Sequence, residues 1–225
     1  MAELYKIVRK KTEKELIIEF ISIFKKLTSR KKRLKKRFSL VLPGGSSPIN
    51  LYEALSKEKI NWSNVDFFWV DERFVSRNSI HSNFQLIKKK LLNKISIKIK
   101  NLFPIETKNK DIHKSSNDYE KKIKRYFKDK KVSFDLILLG MGLDGHIASL
   151  FPNSIHLKNK KIITTVKNKN FDRITLSLKT INTAKRIFLW LNSKKKSNYY
   201  RKFKNKKRLP VNKLNSKRMH LFILN

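Results

Sequence analysis

Short apolar runs alternate with longer amphipathic stretches along this chain. In most of the runs consecutive residues are apolar, which is the pattern of strands buried on both faces of a sheet. The runs predict strands at residues 38–42, 65–72, 101–105, 134–142, 173–178, 186–191 and 220–224.

The amphipathic stretches predict helices between these strands. Apolar residues at helical spacing, together with start signals, place them at residues 12–28, 46–55, 82–92 and 115–128. In the second helix, Ser46 and Ser47 are expected to act as caps and Pro48 to lie in the first turn. Strands that alternate with helices predict an α/β fold, with a mostly parallel sheet covered by helices on both faces.

The composition narrows the class of protein. The 225 residues suffice for one good-sized domain, and without repeats or linkers we expect a single domain over residues 1–225. The chain contains no cysteine, which excludes disulfides and Cys-based zinc sites. No apolar run has the length of a membrane helix, and residues 1–20 carry charges throughout, unlike a secretory signal. A cytoplasmic globular protein that makes no membrane contact is therefore expected.

The chain is strongly basic, with 55 Lys and Arg against 17 Asp and Glu and a formal net charge of +38. Nine basic residues fall in each of two segments, 25–37 and 194–208, whereas 133–153 has none. Clustered basic residues can bind nucleic acid by displacing counterions from phosphates. However, the counts of 43 Lys, 24 Ile and 20 Asn against 12 Arg, 5 Gly and 4 Ala are typical of a genome biased towards A and T. Drift of surface positions to lysine is the favoured explanation, and a selected polyanion-binding surface is the alternative.

All five glycines lie in two motifs, LPGGSSP (42–48) and GMGLDGH (140–146), and each motif follows an apolar strand. Glycine lets the backbone approach a ligand closely. Ligands of α/β folds bind beyond the carboxyl ends of the strands. The turn at 44–47 would present backbone N–H groups at a helix start, which suits a phosphate.

Two motifs supply reactive groups. WVDERF ends a strand with Asp71, Glu72 and Arg73 adjacent, and arginine can bind a phosphate through two parallel hydrogen bonds. In GMGLDGHIASLFP, glycines surround Asp144 and His146. Histidine is the side chain best suited to general-base work near neutral pH, and the glycine N–H groups could stabilise an oxyanion.

The chain lacks HxH and HExxH spacing, so no metal site is expected.

The motifs LPGGSSP, WVDERFVSRNSIHSN, FDLILLGMGLDGHIASLFP and RITLSLKTIN, in this order and spacing, resemble those of the 6-phosphogluconolactonases. The resemblance covers nearly the whole chain. It implies a Rossmann-like α/β domain, which this family shares with the glucosamine-6-phosphate deaminases. It also implies hydrolysis of 6-phosphogluconolactone to 6-phosphogluconate, the second step of the oxidative pentose phosphate pathway, without a metal or organic cofactor. The expected partner is a small sugar-phosphate lactone.

The resemblance further implies roles for individual residues. The expected catalytic residues are His146, which matches the family histidine that activates water, and Asp144 and Asp71. Substrate binding is expected from Gly44, Gly45, Ser46, Ser47, Arg73, Arg173 and Lys196. The division of the three basic residues between phosphate and lactone contacts stays open.

Two other functions stay open as alternatives. The deaminase branch of the family carries a glutamate five residues after the histidine, where this chain has Phe151, and this difference favours the lactonase. A basic nucleic-acid-binding protein on a retired enzyme fold would give the charge a function, although no specific nucleic-acid partner is expected.

Overall fold

The computed structural model describes residues 6–206 and 208–225, which form ten strands and six α-helices. What was predicted for residues 1–5 and Lys207 lies outside the described residues. The strands are β1 (Lys6–Lys10), β2 (Phe38–Leu42), β3 (Val65–Trp69), β4 (Asp71–Arg73), β5 (Leu102–Phe103), β6 (Leu136–Leu139), β7 (Ile163–Val166), β8 (Arg173–Leu176), β9 (Ile187–Leu191) and β10 (Met219–Leu224). The helices are α1 (Glu13–Arg33), α2 (Ile49–Ser56), α3 (Asn83–Lys90), α4 (Ile112–Tyr126), α5 (Leu178–Thr183) and α6 (Lys194–Phe203).

Seven strands form a parallel sheet in the order β1-β10-β9-β6-β2-β3-β5. Every residue of β2, β3 and β9 is buried, so both faces of the sheet are covered there. The predicted α/β fold, with a mostly parallel sheet flanked by helices, is confirmed. Within the described ranges, no helix has both the length and the apolar character needed to cross a bilayer.

The strand predicted at 65–72 is wrong, because the chain changes sheets within it. β3 belongs to the parallel sheet, whereas β4 pairs in a second, antiparallel sheet of order β4-β8-β7. Val70 joins the two sheets. Its N–H donates to the Leu42 carbonyl at 3.0 Å, and its carbonyl accepts from the Leu176 N–H at 2.8 Å. The apolar run continues across the break because the residues on both sides of it are buried.

Two predicted helix boundaries also differ. The helix predicted at 12–28 continues to Arg33, where four basic side chains in the last turn face the negative end of the helix dipole. The helix predicted at 46–55 begins at Ile49, and Pro48 occupies the cap position without a side-chain hydrogen bond. The serine cap was therefore wrong, and the hydroxyls of this turn are available to the neighbouring loops.

The strand predicted at 173–178 ends at Leu176, because Ser177 caps α5 by accepting a hydrogen bond from the Thr180 N–H. The strand predicted at 134–142 is confined to β6, and the other predicted elements lie within a few residues of their observed ends. Four elements were not predicted at all: β1, β7, α5 and α6.

The sequence motifs meet where the strand order of the parallel sheet reverses. β2 lies between β3 and β6, so LPGGSSP after β2 and GMGLDGH after β6 emerge side by side at the carboxyl edge. Open α/β sheets bind ligands in the crevice at this point. The antiparallel sheet brings Asp71, Arg73 and Arg173 to the same crevice.

Candidate active site

A cleft of about 230 Å³ lies at this edge of the sheet. Nine of the ten residues predicted for the site line it: Gly44, Gly45, Ser46, Ser47, Asp71, Arg73, His146, Arg173 and Lys196. The tenth, Asp144, does not line the cleft but contacts His146 directly. The structure thus brings the predicted residues together, while their roles stay predictions.

Asp144 holds the imidazole of His146 at the edge of the cleft. Its Oδ1 lies 2.6 Å from His146 Nδ1 and also accepts from the His146 backbone N–H at 3.1 Å. A carboxylate at Nδ1 favours the tautomer with its proton there, which leaves Nε2 free to accept a proton. The ring lies against Phe151, with ring centroids 5.0 Å apart. This arrangement suits a general base.

The glycines of GMGLDGH make room for the imidazole. The Gly142 N–H donates to the His146 carbonyl at 2.9 Å, so the loop turns back on itself. A Cβ atom at Gly142 would lie 2.2 Å from His146 Nδ1 and Cε1. Gly145 has a φ of +85°, a conformation that non-glycine residues rarely adopt. The loop can hold its histidine in this position only with glycine at these two sites.

Asp71 is a buried carboxylate in the wall of the cleft. Its Oδ2 accepts a hydrogen bond from the Ser149 hydroxyl at 2.6 Å. Burial raises its pKa, although the Ser149 hydrogen bond and the charges of Arg173 and His146 oppose the rise. A buried carboxylate with few committed donors is suited to accept hydrogen bonds from sugar hydroxyls.

Arg73 and Arg173 face each other across the antiparallel pair of β4 and β8. Two like charges in register destabilise a sheet. The Nε atom of each guanidinium is buried and has no hydrogen-bond partner among the described residues. Burial lowers the pKa of Arg173; the charge of Asp71 opposes this effect, and the charge of Arg73 adds to it. The pair therefore forms a site that an anion would stabilise.

Lys196 adds a third cation at the start of α6. Its Nζ donates to the Ser47 hydroxyl, and burial lowers its pKa. No ion pair between Lys196 and a carboxylate occurs in the part of the chain that the structure describes. The Ser47 carbonyl accepts from Asn192 Nδ2 at 3.0 Å and from Trp190 Nε1 at 3.2 Å, which fixes the turn after β2.

Sequence reasoning missed Asn83, which also lines the cleft. Its Nδ2 donates to the Asp71 carbonyl at 3.0 Å, and its side chain lies so close to Gly44 that a Cβ there would be 1.8 Å from Asn83 Oδ1. Asn83 follows WVDERF by nine residues, at the first position of α3. A polar residue at a helix start is common, so the sequence carried no distinct signal for this role.

Glu72 was also missed, and it anchors the start of α3 beside the cleft. Its Oε1 accepts from the backbone N–H groups of Asn83 (2.7 Å) and Arg73 (2.8 Å). Its Oε2 accepts from the Phe84 N–H (2.7 Å) and the Ser82 hydroxyl (3.2 Å). Burial raises the pKa of Glu72 to about 7, although the three backbone hydrogen bonds lower it. Glu72 therefore fixes two residues that line the cleft.

Glu72→Gln is expected to remove a pH dependence from the stability of the protein. Because the folded pKa lies above the ordinary value of 4.5, the folded state keeps a proton that the unfolded state releases between about pH 4.5 and about pH 7. The contribution of this group to the free energy of unfolding is therefore lost as the pH rises through about 7.

Urea denaturation of wild type and Glu72→Gln between about pH 5 and about pH 8 measures this effect. The difference in free energy of unfolding, wild type minus variant, should shrink as the pH rises. Glu58→Gln, at a half-buried surface position where the carboxylate pairs with Lys25, is the matched control and should show no such change. A difference that stays constant or grows would mean that the four donors keep Glu72 ionised throughout.

The described residues contain no group of three or more His, Asp or Glu side chains that could hold a metal ion. The titratable groups that converge on the cleft are three cations, one imidazole and one buried carboxylate. They suit a reaction in which water attacks a carbonyl of a phosphorylated substrate.

Comparison with known proteins identifies related chains. The family model described as "Glucosamine-6-phosphate isomerases/6-phosphogluconolactonase" matches residues 11–223. A 6-phosphogluconolactonase of Nostoc sp. is 36% identical over 155 residues, which cover 67% of this chain and 65% of the relative. A 6-phosphogluconolactonase of Thermotoga maritima is 33% identical over 168 residues, or 73% of each chain. The aligned segment thus spans slightly less than two thirds of the Nostoc protein.

The solved structures agree in fold over almost the entire chain. The crystal structure of a Thermotoga maritima 6-phosphogluconolactonase superposes with a TM-score of 0.85 and 26% identity, covering 98% of this chain and 99% of that one. A monomeric glucosamine-6-phosphate deaminase superposes with a TM-score of 0.83 at 19% identity, which reflects the shared fold alone.

Proposed function

The chain belongs to the family of glucosamine-6-phosphate isomerases and 6-phosphogluconolactonases, and on this premise we propose that it hydrolyses 6-phospho-D-glucono-1,5-lactone to 6-phospho-D-gluconate. In a cytoplasmic oxidative pentose phosphate pathway this would be the second step. The observation that carries the proposal is the imidazole of His146, held by Asp144 at the edge of a cleft that contains Arg73, Arg173 and Lys196.

In the proposed mechanism, His146 Nε2 takes a proton from a water molecule as the water oxygen attacks the lactone carbonyl carbon. The carbonyl π bond opens to a tetrahedral oxyanion, which the Gly-rich loop and the cations of the cleft stabilise. When the carbonyl re-forms, the bond to the ring oxygen breaks. The imidazolium of His146 returns its proton to that oxygen, so water is consumed and the base is regenerated.

The three cations and Asp71 would hold the two ends of the substrate. The phosphate needs charge-assisted donors, which the guanidinium groups of Arg73 and Arg173 would supply. Lys196, joined to the Ser47 hydroxyl, extends the positive surface to the turn after β2. Asp71 would accept from the sugar hydroxyls, which keeps the lactone ring beside His146.

The deaminase alternative has less support from the site. Phe151, an apolar side chain, lies against His146 where the resemblance places a glutamate in the deaminases. Opening an amino sugar ring needs a carboxylate there to move a proton. The two functions are separated by incubating the chain with each substrate: acid release from the lactone supports the proposal, and ammonia release from glucosamine 6-phosphate overturns it.

Arg173→Met is expected to lower kcat/KM while changing the melting temperature little. The substitution removes repulsion with Arg73 and a buried donor without a partner among the described residues. It also removes the attraction between Arg173 and the buried Asp71 carboxylate, so the effects on stability oppose each other. The substrate phosphate would lose a charge-assisted hydrogen bond, so kcat/KM should fall by about tenfold to a hundredfold.

Thermal melts and steady-state kinetics measure both effects of Arg173→Met. Arg125→Met, an exposed position on α4, is the matched control and should leave kcat/KM unchanged. A melting temperature that falls together with an unchanged kcat/KM would contradict a role of Arg173 in anion binding.

A further inference from the structure

A second cavity lies at the opposite end of the parallel sheet from the active-site cleft. It has a volume of about 540 Å³ and lies where β2, β6, β9 and β10 begin, beside the C-terminal half of α1. The length of the strands, roughly 15 Å, separates it from the cleft. The basic segment 25–37, which the active site does not use, forms one wall.

The cavity is strongly positive. Seven cationic side chains and a single carboxylate, Asp135, line it. Asp135 pairs with Lys31 at 2.7 Å and with Lys185 at 2.8 Å. Burial favours its neutral form, but these hydrogen bonds lower its pKa overall, so it stays ionised and paired. The other five cations have no carboxylate partner in the described part of the chain. A compact anion would therefore meet several uncompensated charges at once.

Arginine supplies much of this charge, although the chain favours lysine by 43 to 12. Arg30, Arg186 and Arg218 line this cavity, whereas five lysines and no arginine line the comparably large groove beside α4 and α5. Lysine suffices where only charge is needed, while the guanidinium group binds pairs of phosphate oxygens in a fixed geometry. Arg218 Nη1 donates to two backbone carbonyls, each at 2.8 Å, so its guanidinium is oriented before a ligand arrives.

Apolar side chains form the remaining part of the wall. Leu27, Leu34 and Phe38 line the cavity, and Leu34 is 56% exposed, so its side chain is accessible to a ligand. His220 adds a neutral ring, because burial and the charge of Arg186 lower its pKa to about 4. The volume lies within the range of small-molecule sites. The cations converge on one concavity, which suits a compact anion rather than an extended nucleic-acid strand.

We propose that this cavity binds a small molecule that carries several phosphates and an apolar ring, that is, a nucleoside diphosphate or triphosphate. The phosphates would contact Arg30, Arg186 and Arg218, and the ring would lie on Leu34. The site is independent of lactone hydrolysis.

Calorimetric titration of the full chain with ATP, at physiological salt, tests the proposal. We expect saturable binding that weakens at least about tenfold in Arg30→Ala/Arg186→Ala. The matched control, Lys130→Ala/Lys160→Ala, removes the same two charges from the groove beside α4 and should keep the wild-type affinity within about twofold. Because Arg30 is exposed and Arg186 half-buried, the arginine variant should fold. Thermal melts of this variant and of the lysine control verify that both are folded.

Three further titrations complete the test. Binding of ATP should persist in Arg73→Ala/Arg173→Ala, because that variant alters only the active-site cleft. Inorganic triphosphate should bind more weakly than ATP, and adenosine more weakly still. The proposal is overturned if wild type does not bind ATP, or if the lysine control weakens ATP binding as much as the arginine variant does. It is also overturned if the cleft variant abolishes ATP binding, or if triphosphate binds as tightly as ATP. Displacement of ATP by a short oligonucleotide at a concentration far below that of ATP would overturn it as well.

Discussion

His146→Ala is expected to lower kcat for lactone hydrolysis by about a thousandfold, within the range attributed to a general base. The KM should change little, because the cations that bind the phosphate remain. The fold should also remain, since the ring is partly exposed at the edge of the cleft and makes its hydrogen bond to Asp144, itself exposed. Stopped assays of acid release measure kcat and KM, and a thermal melt of each protein checks the fold.

Two companion variants separate the chemical role of His146 from its place in the structure. Asp144→Asn keeps a hydrogen-bond acceptor near Nδ1 but removes its charge, so kcat should fall by less than in His146→Ala. His113→Ala changes an exposed histidine of α4 and should have wild-type kinetics. Near-normal turnover by His146→Ala would contradict the assignment of the base.

Gly142→Ala is expected to lower kcat by about a hundredfold, since small displacements of a catalytic group cost rates of this order. The new Cβ would lie 2.2 Å from the imidazole and 2.7 Å from Asp144 Oδ1, so the ring must leave its position. The ring is partly exposed and can move without opening the core, so the melting temperature should fall only slightly. Kinetics and melts on the same sample measure the two effects.

Gly140→Ala is the matched control for Gly142→Ala, because both glycines line the cleft and belong to one loop. At Gly140 the atoms nearest to a Cβ are those of the Ser47 side chain at 3.9 Å, an ordinary van der Waals distance. Gly140→Ala should retain most of the activity. Equal losses in the two variants would show that the loop backbone, and not the position of the imidazole, determines the effect.

The sequence predicted β2 and β9, whose burial is complete, and missed β1 and α6, which bury only one or two residues. The strands β2 and β9 are buried at every residue, and their unbroken apolar runs indicated them directly. The edge strand β1, KIVRK, has a single buried residue and three basic ones, so its pairing with β10 left no apolar pattern. Helix α6, KKKSNYYRKF, buries only Ser197 and Tyr200, too little for a recognisable stripe.

The sequence predicted those residues of the candidate site that lie in distinctive motifs. His146 and the turn at 44–47 were found because glycine occurs nowhere else in the chain. The sheet change at Val70 was hidden, because both neighbouring strands are buried and the apolar run does not stop there. Without that break, neither the pairing of Arg73 with Arg173 nor the contacts of Glu72 and Asn83 could be derived from the sequence.

The most direct test of lactone hydrolysis follows the decay of 6-phosphogluconolactone generated in situ from glucose 6-phosphate by its dehydrogenase. The decay is compared with wild type, with His146→Ala and without protein, because the lactone also hydrolyses spontaneously. We predict that wild type accelerates the decay and that the variant leaves it at the spontaneous rate. Three equal decays, with wild type shown to be folded, would contradict the proposed function.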